Sequence, residues 1–301
     1  MGLTTAAAST SPLPVAASII PLGDFCRQIG GDLVRVQVLI PPGASPHVFE
    51  PAPSAMARAA QARVIVYIGA GLEPWFTKLL QARGSKDLVV VEASHGIPLL
   101  GLDESHHHLE EARKGPYAGE THSQGGVQAT HLRGNPHIWL DPVLAQGICR
   151  KIAAAFIQAD PVHRTQYEAH LQKYLAALAE MNREIENHAR NWRLRDYVAF
   201  HPAFAYFARR YGLHEVGTIE AAPGREPTPR HLQNLVAAVH RYGIKVVFAE
   251  PQFNPRVAEV IAQEAEVKML MLDPMGGRPP YGDDYLKLMR YNLATLDHAL
   301  K

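Results

Sequence analysis

Pro161-Val-His-Arg-Thr-Gln-Tyr-Glu-Ala-His-Leu-Gln-Lys-Tyr-Leu-Ala-Ala-Leu-Ala-Glu-Met-Asn-Arg-Glu-Ile-Glu-Asn-His-Ala-Arg-Asn-Trp192 organises the whole chain. Tyr167, Leu171, Tyr174, Leu178, Met181 and Ile185 recur at helical steps of three and four, and Trp192 follows one longer step on. No Gly or Pro interrupts the run after Pro161, and Pro suits a first helical turn. The spacing predicts a single helix, which at 1.5 Å per residue would be about 48 Å long. Such a helix is either an edge helix packed on one domain or a strut joining two. The strut is favoured, because strands and helices alternate on both sides of it.

Before it, residues 15–20, 34–40, 63–68 and 87–92 read as strands. Helical patterns begin near 25–29 and cover 54–62, with Ser54 as N-cap, and 73–83. After it, strands at 196–200, 215–219, 245–249 and 267–272 alternate with helices at 202–211, 229–242 and 255–265, and a last helix covers about 285–300. This order predicts an α/β protein of two lobes, each a mostly parallel sheet flanked by helices, joined by one long rigid helix. The expected division is 14–160, 161–192 and 193–301. Residues 102–133 have no apolar period and hold His106, His107, His108, His122 and His131 among Gly, Glu and Ser, which reads as a long loop.

The balance of charge excludes several classes. Thirty Lys and Arg face 29 Asp and Glu, so the chain lacks the basic excess of a nucleic-acid binder. No apolar run approaches the roughly 20 residues of a membrane span. The opening Met1-Gly-Leu-Thr-Thr-Ala-Ala-Ala-Ser-Thr-Ser-Pro-Leu-Pro14 has neither a basic start nor a long apolar core, so it does not read as an intact signal peptide. A cytosolic protein and a mature exported form both fit it. Cys26 and Cys149 read as small buried residues, with a mutual disulfide as the alternative. Gly69-Ala-Gly71 lacks the third glycine of a dinucleotide fingerprint, since Pro74 stands there, and reads as a plain strand-to-helix turn.

Four positions share a placement. His47 lies just past the strand at 34–40, His201 directly follows the strand at 196–200, and Asp273 directly follows the strand at 267–272. His137 sits in Asn135-Pro-His-Ile-Trp-Leu-Asp-Pro142. Ligands of open parallel sheets bind at the carboxyl ends of strands, and two of the four come from each half of the chain. Three imidazoles and a carboxylate make a tetrahedral donor set for a borderline divalent metal. Pro46, Pro136, Pro202 and Pro274 adjoin the four and stiffen their backbone. At this point the residues admit two classes: a closed binding site, or a hydrolase with three histidines on zinc and Asp273 as general base.

The motifs Ile29-Gly-Gly-Asp32, Gly43-Ala-Ser-Pro-His-Val-Phe-Glu-Pro51, Gly71-Leu-Glu73, Asn135-Pro-His-Ile-Trp-Leu-Asp-Pro142, Phe200-His-Pro-Ala-Phe204 and Leu272-Asp-Pro274 occur in order. Together they resemble the zinc and manganese substrate-binding proteins of ABC importers, over about residues 14–300. The resemblance implies two α/β lobes joined by a long helix, a metal held between them, and no enzymatic activity. It places the metal ligands on His47, His137, His201 and Asp273. It implies Zn2+ as the ion, with Mn2+ or iron as the alternative, because manganese-type members commonly carry Glu where His201 stands. It further implies a periplasmic or membrane-tethered location, a membrane permease as partner, and action as a monomer. A zinc-binding adhesin on the same fold is a further alternative.

Among the remaining candidates, Glu250, at the end of the strand at 245–249, is a candidate acceptor for the second nitrogen of a ligand imidazole, or a simple capping acid. Glu50 and Glu73 read as surface or helix-start acids. The other histidines, such as His95 and His240, read as surface residues. His106, His107, His108, His122 and His131 are candidates for weak auxiliary zinc binding from a solvated tract. Deleting residues 106–131 is therefore expected to preserve the fold and one tight zinc site while removing weaker extra binding. Calorimetric titration of the deletion variant checks this, and loss of the tight site would assign a primary ligand to the tract.

Overall fold

Eight short strands form two four-stranded sheets, every pairing parallel, with the same strand order in each. The computed structural model describes residues 11–81, 87–101, 134–220 and 224–301; the five histidines of the 102–133 tract lie outside them. The first sheet runs β2-β1-β3-β4, from β1 (Leu13–Ala17), β2 (Val34–Val38), β3 (Val64–Tyr67) and β4 (Val89–Glu92). The second repeats this as β6-β5-β7-β8, from β5 (Asp196–Ala199), β6 (His214–Thr218), β7 (Val246–Ala249) and β8 (Lys268–Met271).

Helices α1 (Ile20–Gly30), α2 (Pro53–Ala59), α3 (Phe76–Gln81) and α4 (Pro142–Ala159) accompany the first sheet. The long helix α5 (Arg164–Ala189) follows a single 3-10 turn at Pro161–His163, so it is 26 residues and about 39 Å long, shorter at both ends than the predicted span of 161–192. Helices α6 (Ala205–Tyr211), α7 (Pro229–Tyr242), α8 (Arg256–Glu264) and α9 (Tyr285–Leu300) accompany the second sheet. The 18-residue α4 was not legible as a helix from periodicity, because alanines and Gly147 dilute its stripe. Its start has a clear local cause: Asp141 accepts hydrogen bonds from the backbone N–H groups of Val143 and Leu144, and Pro142 opens the first turn. Ser54 does not cap α2, which starts one residue earlier at Pro53 with no side-chain cap.

The apolar residues do not divide into one core per lobe. On β5, Tyr197 and Ala199 face a core shared with α1, α4, α5 and the first sheet, whereas Val198 and Phe200 face the opposite way. The same alternation holds on β7, with Val246 and Phe248 inward and Val247 and Ala249 outward under α7 and α8. Tyr167, Tyr174, Leu178, Met181 and Ile185 of α5 are buried in the shared core, and Leu171 is half-buried against it. The C-terminal helix α9 crosses back as a second tie. Its Tyr285 packs edge-on against Phe25 of α1 at 4.8 Å, and the Tyr285 N–H donates to Asp24 at 3.1 Å. Cys26 and Cys149 are buried free thiols within the same core.

A continuous core has to be torn to open a wide hinge, and packed cores resist that. Small-angle scattering of metal-free and zinc-loaded protein is therefore expected to give nearly equal radii of gyration. A drop of several ångströms on loading would mean that α5 bends or breaks.

Candidate metal centre

The second sheet places one imidazole by register alone. Val198 on β5 pairs with Val247 on β7, and carrying that pairing on by three residues, just past the strand ends, sets His201 beside Glu250. Glu250 Oε1 lies 2.7 Å from His201 Nδ1 and 3.3 Å from the His201 backbone N. The backbone N–H donates to Oε1, so this oxygen is an acceptor, and the ring proton sits on Nδ1. Nε2 of His201 then carries a bare lone pair.

His137 is fixed in the same way by other atoms. Asn135 Nδ2 donates to the carbonyl of Pro202 at 2.7 Å, which sets the orientation of the amide. Asn135 Oδ1 then accepts from the backbone N–H of His137 at 3.0 Å and from its Nδ1 at 2.8 Å. His137 Nε2 is left as a second bare lone pair, and it lies 3.1 Å from His201 Nε2. His47 brings a third nitrogen, with its Nε2 at 3.0 Å from that of His137. Among the described residues, these three are the one histidine, cysteine or carboxylate cluster whose donor atoms all lie within 4.8 Å of one another. Nitrogens on a tetrahedral zinc at 2.0–2.1 Å are about 3.3 Å apart, so the observed spacing is near that of a coordinated set.

Asp273 is fully buried beside this cluster. Its Oδ1 accepts from Gln252 Nε2 (2.8 Å) and from the backbone N–H groups of Met275 (2.8 Å) and Gly276 (3.1 Å), and its Oδ2 accepts from the Tyr281 hydroxyl. Asn292 of α9 clamps its backbone from both sides, donating to the Asp273 carbonyl and accepting from the Asp273 N–H. Its carboxylate oxygens are outside the group of three mutually close imidazoles.

Several residues that hold the centre escaped the sequence reading, although most stand inside the quoted motifs. Trp139 Nε1 donates to the Pro274 carbonyl at 2.7 Å, and Tyr285 donates to the Trp139 carbonyl at 2.6 Å. Asp141 pairs with Arg210 at 2.6 Å. Segments carrying His137, His201 and Asp273 are thereby bonded into one unit across the two sheets. The loop carrying His47 is tied differently: it lies against Gly277, where φ is +83° and a Cβ would come within 2.8 Å of Pro42. His47 itself is half-buried and has no orienting hydrogen bond like those on His137 and His201 among the described residues.

Of the two acids read as surface or helix-start residues, one fits and one does not. Glu50 is an exposed acid paired with Lys78. Glu73 is neither exposed nor at a helix start: it is buried and accepts from Ser18 Oγ and from the N–H groups of Ile68 and Gly69, holding the turn after β3. Burial raises its pKa to about 7.

A donor set drawn from two α/β lobes, with room among the described residues for little more than a water molecule in the cavity at His137 and His201, defines a two-lobed protein that binds a metal ion as its cargo. Residues 15–299 match the family described as the zinc-uptake complex component A, periplasmic, and the chain belongs to it. It is a zinc-binding component of an uptake system and not an enzyme, which removes the hydrolase alternative. It is 29% identical over 292 residues to the high-affinity zinc uptake system protein ZnuA of Bacillus subtilis, covering 96% of this chain and 88% of that protein. A crystal structure of ZnuA superposes with a TM-score of 0.80 at 31% identity, covering 97% of this chain and 100% of that one. The laminin-binding adhesin Lmb of Streptococcus agalactiae superposes with a TM-score of 0.78 at 29% identity, covering 95% and 99%. No helix among the described residues is long and apolar enough to cross a membrane.

Burial, reinforced by the neighbouring imidazoles, pushes His47 and His137 well below the usual histidine range, and burial pushes His201 down to about 4. A histidine with a depressed folded pKa stabilises the fold least in acid, because the unfolded chain takes up the proton first. Taken by themselves the three imidazoles therefore favour the metal-free fold above pH 6.5 and lose that contribution as the pH falls toward 4, by about 3 kcal/mol from His201 alone, while buried acids with raised pKa, Glu73, Glu215 and Glu250, act in the opposite sense. Chemical denaturation of metal-free wild-type protein and His201→Gln at pH 7.5 and 4.5 isolates the His201 share, the variant being expected to fare better in acid relative to the wild type.

Proposed function

We propose that the protein captures one Zn2+ ion through Nε2 of His47, His137 and His201, with Asp273 completing the tetrahedron, and delivers it to the membrane permease of an ABC importer. The observation that carries this reading is the pair of bare imidazole lone pairs facing each other 3.1 Å apart, each fixed by an acceptor behind its ring. Two such lone pairs repel in a buried site, and a cation between them turns the repulsion into two bonds. Asp273 Oδ2, with Tyr281 as its one hydrogen-bond donor, has a lone pair to give, whereas Oδ1 already accepts three hydrogen bonds.

Three imidazoles favour zinc over manganese, which prefers oxygen donors. Four protein ligands leave no position for an activated water, in keeping with a carrier. Glu250 and Asn135 serve as acceptors that keep the ligand rings in the binding tautomer. In this reading residues 14–160 and 193–301 act as the two lobes, 161–192 is their rigid connection, and the molecule works as a monomer outside the cytoplasm.

Competition titration of metal-free protein is expected to give one tight zinc site that manganese fills only at concentrations orders of magnitude higher. Asn135→Leu should weaken zinc binding by on the order of 10–100-fold without unfolding the protein, as loss of an orienting acceptor does. Asn135→Asp, which keeps the acceptor but loses the donor to the Pro202 carbonyl, should recover only part of the affinity. Equal affinity for the two metals would overturn the zinc assignment.

A further inference from the structure

Beside the imidazole cluster lies a small cavity of about 10 Å³, lined by Ser45, Glu250, Gln252, His137, His201 and Met275 among others. That is the space of one water molecule. Three of the buried side-chain oxygens that have no hydrogen-bond partner belong to residues lining this one space: Ser45 Oγ, Glu250 Oε2 and Gln252 Oε1. Their orientations are not free. Gln252 must turn its Nε2 toward the Asp273 carboxylate, which leaves Oε1 as the unpaired end. Glu250 uses Oε1 for both His201 contacts, which leaves Oε2. Glu250 is 2% exposed and Ser45 7%, so bulk solvent satisfies neither. Three unpaired oxygens in a buried space cost several kcal/mol if left alone, and a single bridging water removes that cost.

We propose that this cavity is a binding site for one ordered water, which accepts from Ser45 Oγ–H, donates to Gln252 Oε1, and makes its third hydrogen bond with Glu250 Oε2. The site completes a chain of hydrogen bonds beside the metal centre. His201 is joined to Glu250, Glu250 through the water to Gln252, and Gln252 to Asp273. The water also reaches Ser45, two residues before His47, and so adds a hydrogen-bonded tie from the His47 loop, otherwise held by packing, to the second sheet. Ser45 and Gln252 are thereby positioning residues for zinc: Ser45 acts through the shared solvent molecule, and Gln252 acts through it and through its direct hydrogen bond to Asp273 Oδ1.

The inference rests on the zinc-carrier reading for its functional consequence and on the cavity alone for the water. Two measurements separate these. A crystal structure of the zinc-loaded wild-type protein should contain one solvent peak at hydrogen-bonding distance, about 2.7–3.0 Å, from all three oxygens. An empty cavity, or a peak at about 2.0–2.2 Å from Glu250 Oε2, which is a metal distance, would overturn the proposal while leaving zinc binding at the imidazoles intact. Zinc dissociation into excess chelator should be roughly three- to tenfold faster in Ser45→Ala and in Gln252→Met. The double variant should be no faster than the faster single variant, since both act through one water, and Ser45→Thr should restore the wild-type rate. Independent, multiplying effects, or failure of Ser45→Thr to restore the rate, would overturn it. If the wild-type protein held no zinc, the carrier reading would fall, and the solvent peak would still decide the cavity.

Discussion

Two of the three imidazoles at the centre are set by one constraint: an acceptor that occupies one ring nitrogen leaves the other with a bare lone pair. Asn135 does this for His137 and Glu250 does it for His201. Each acceptor is itself locked, Asn135 by the Pro202 carbonyl and Glu250 by the backbone N–H of His201. The Asn135 amide belongs to the segment before α4, while Pro202 follows β5. The tautomer of a first-half ligand is therefore set by the backbone of the second half. A structure that separated the two sheets would lose the orientation of His137 along with its distance from His201.

The shared core makes this arrangement affordable in conformational terms. Packed apolar side chains from both sheets, α1, α4, α5 and α9 hold the halves at fixed spacing, so the hydrogen bonds between them start from a nearly correct geometry. The burial that fixes the spacing also suppresses protonation of the three imidazoles. Neutral rings are the form that binds a metal, so packing and chemistry act in the same direction.

Much of this was legible in the sequence, for physical reasons that differ by element. The long helix was visible because its buried residues repeat at 3.6-residue spacing over many turns. The strand ends were visible because Pro or Gly follows several of them, and His201 and Asp273 could be placed at the sheet edge on that basis. The ends of the long helix fall inside the expected span because Pro161 opens a separate 3-10 turn and Trp192, the last residue of the stripe, is buried from the turn that follows the helix. Glu73 was misjudged because its partners are Ser18 and two backbone N–H groups supplied by a neighbouring strand and turn. The single shared core was illegible for a related reason: periodicity states that a strand has two buried faces, and it does not state which partner covers each. Gln252 and Asn292 carry no spacing signal at all, because a glutamine or asparagine becomes informative only once its donor and acceptor ends have known neighbours.

A rigid frame has a consequence for how such a molecule is read by others. When the outline of a carrier barely changes between empty and full, a receptor cannot sort the two by overall shape. The information has to be local and has to reach the surface. Val48, next in sequence to His47, is 64% exposed, and it packs against Gly224, where a Cβ would come within 2.7 Å of its side chain. In the carrier reading, this apolar side chain on the rim, one peptide unit from His47 and seated against a loop from the opposite half, is where a change at that imidazole would reach the surface.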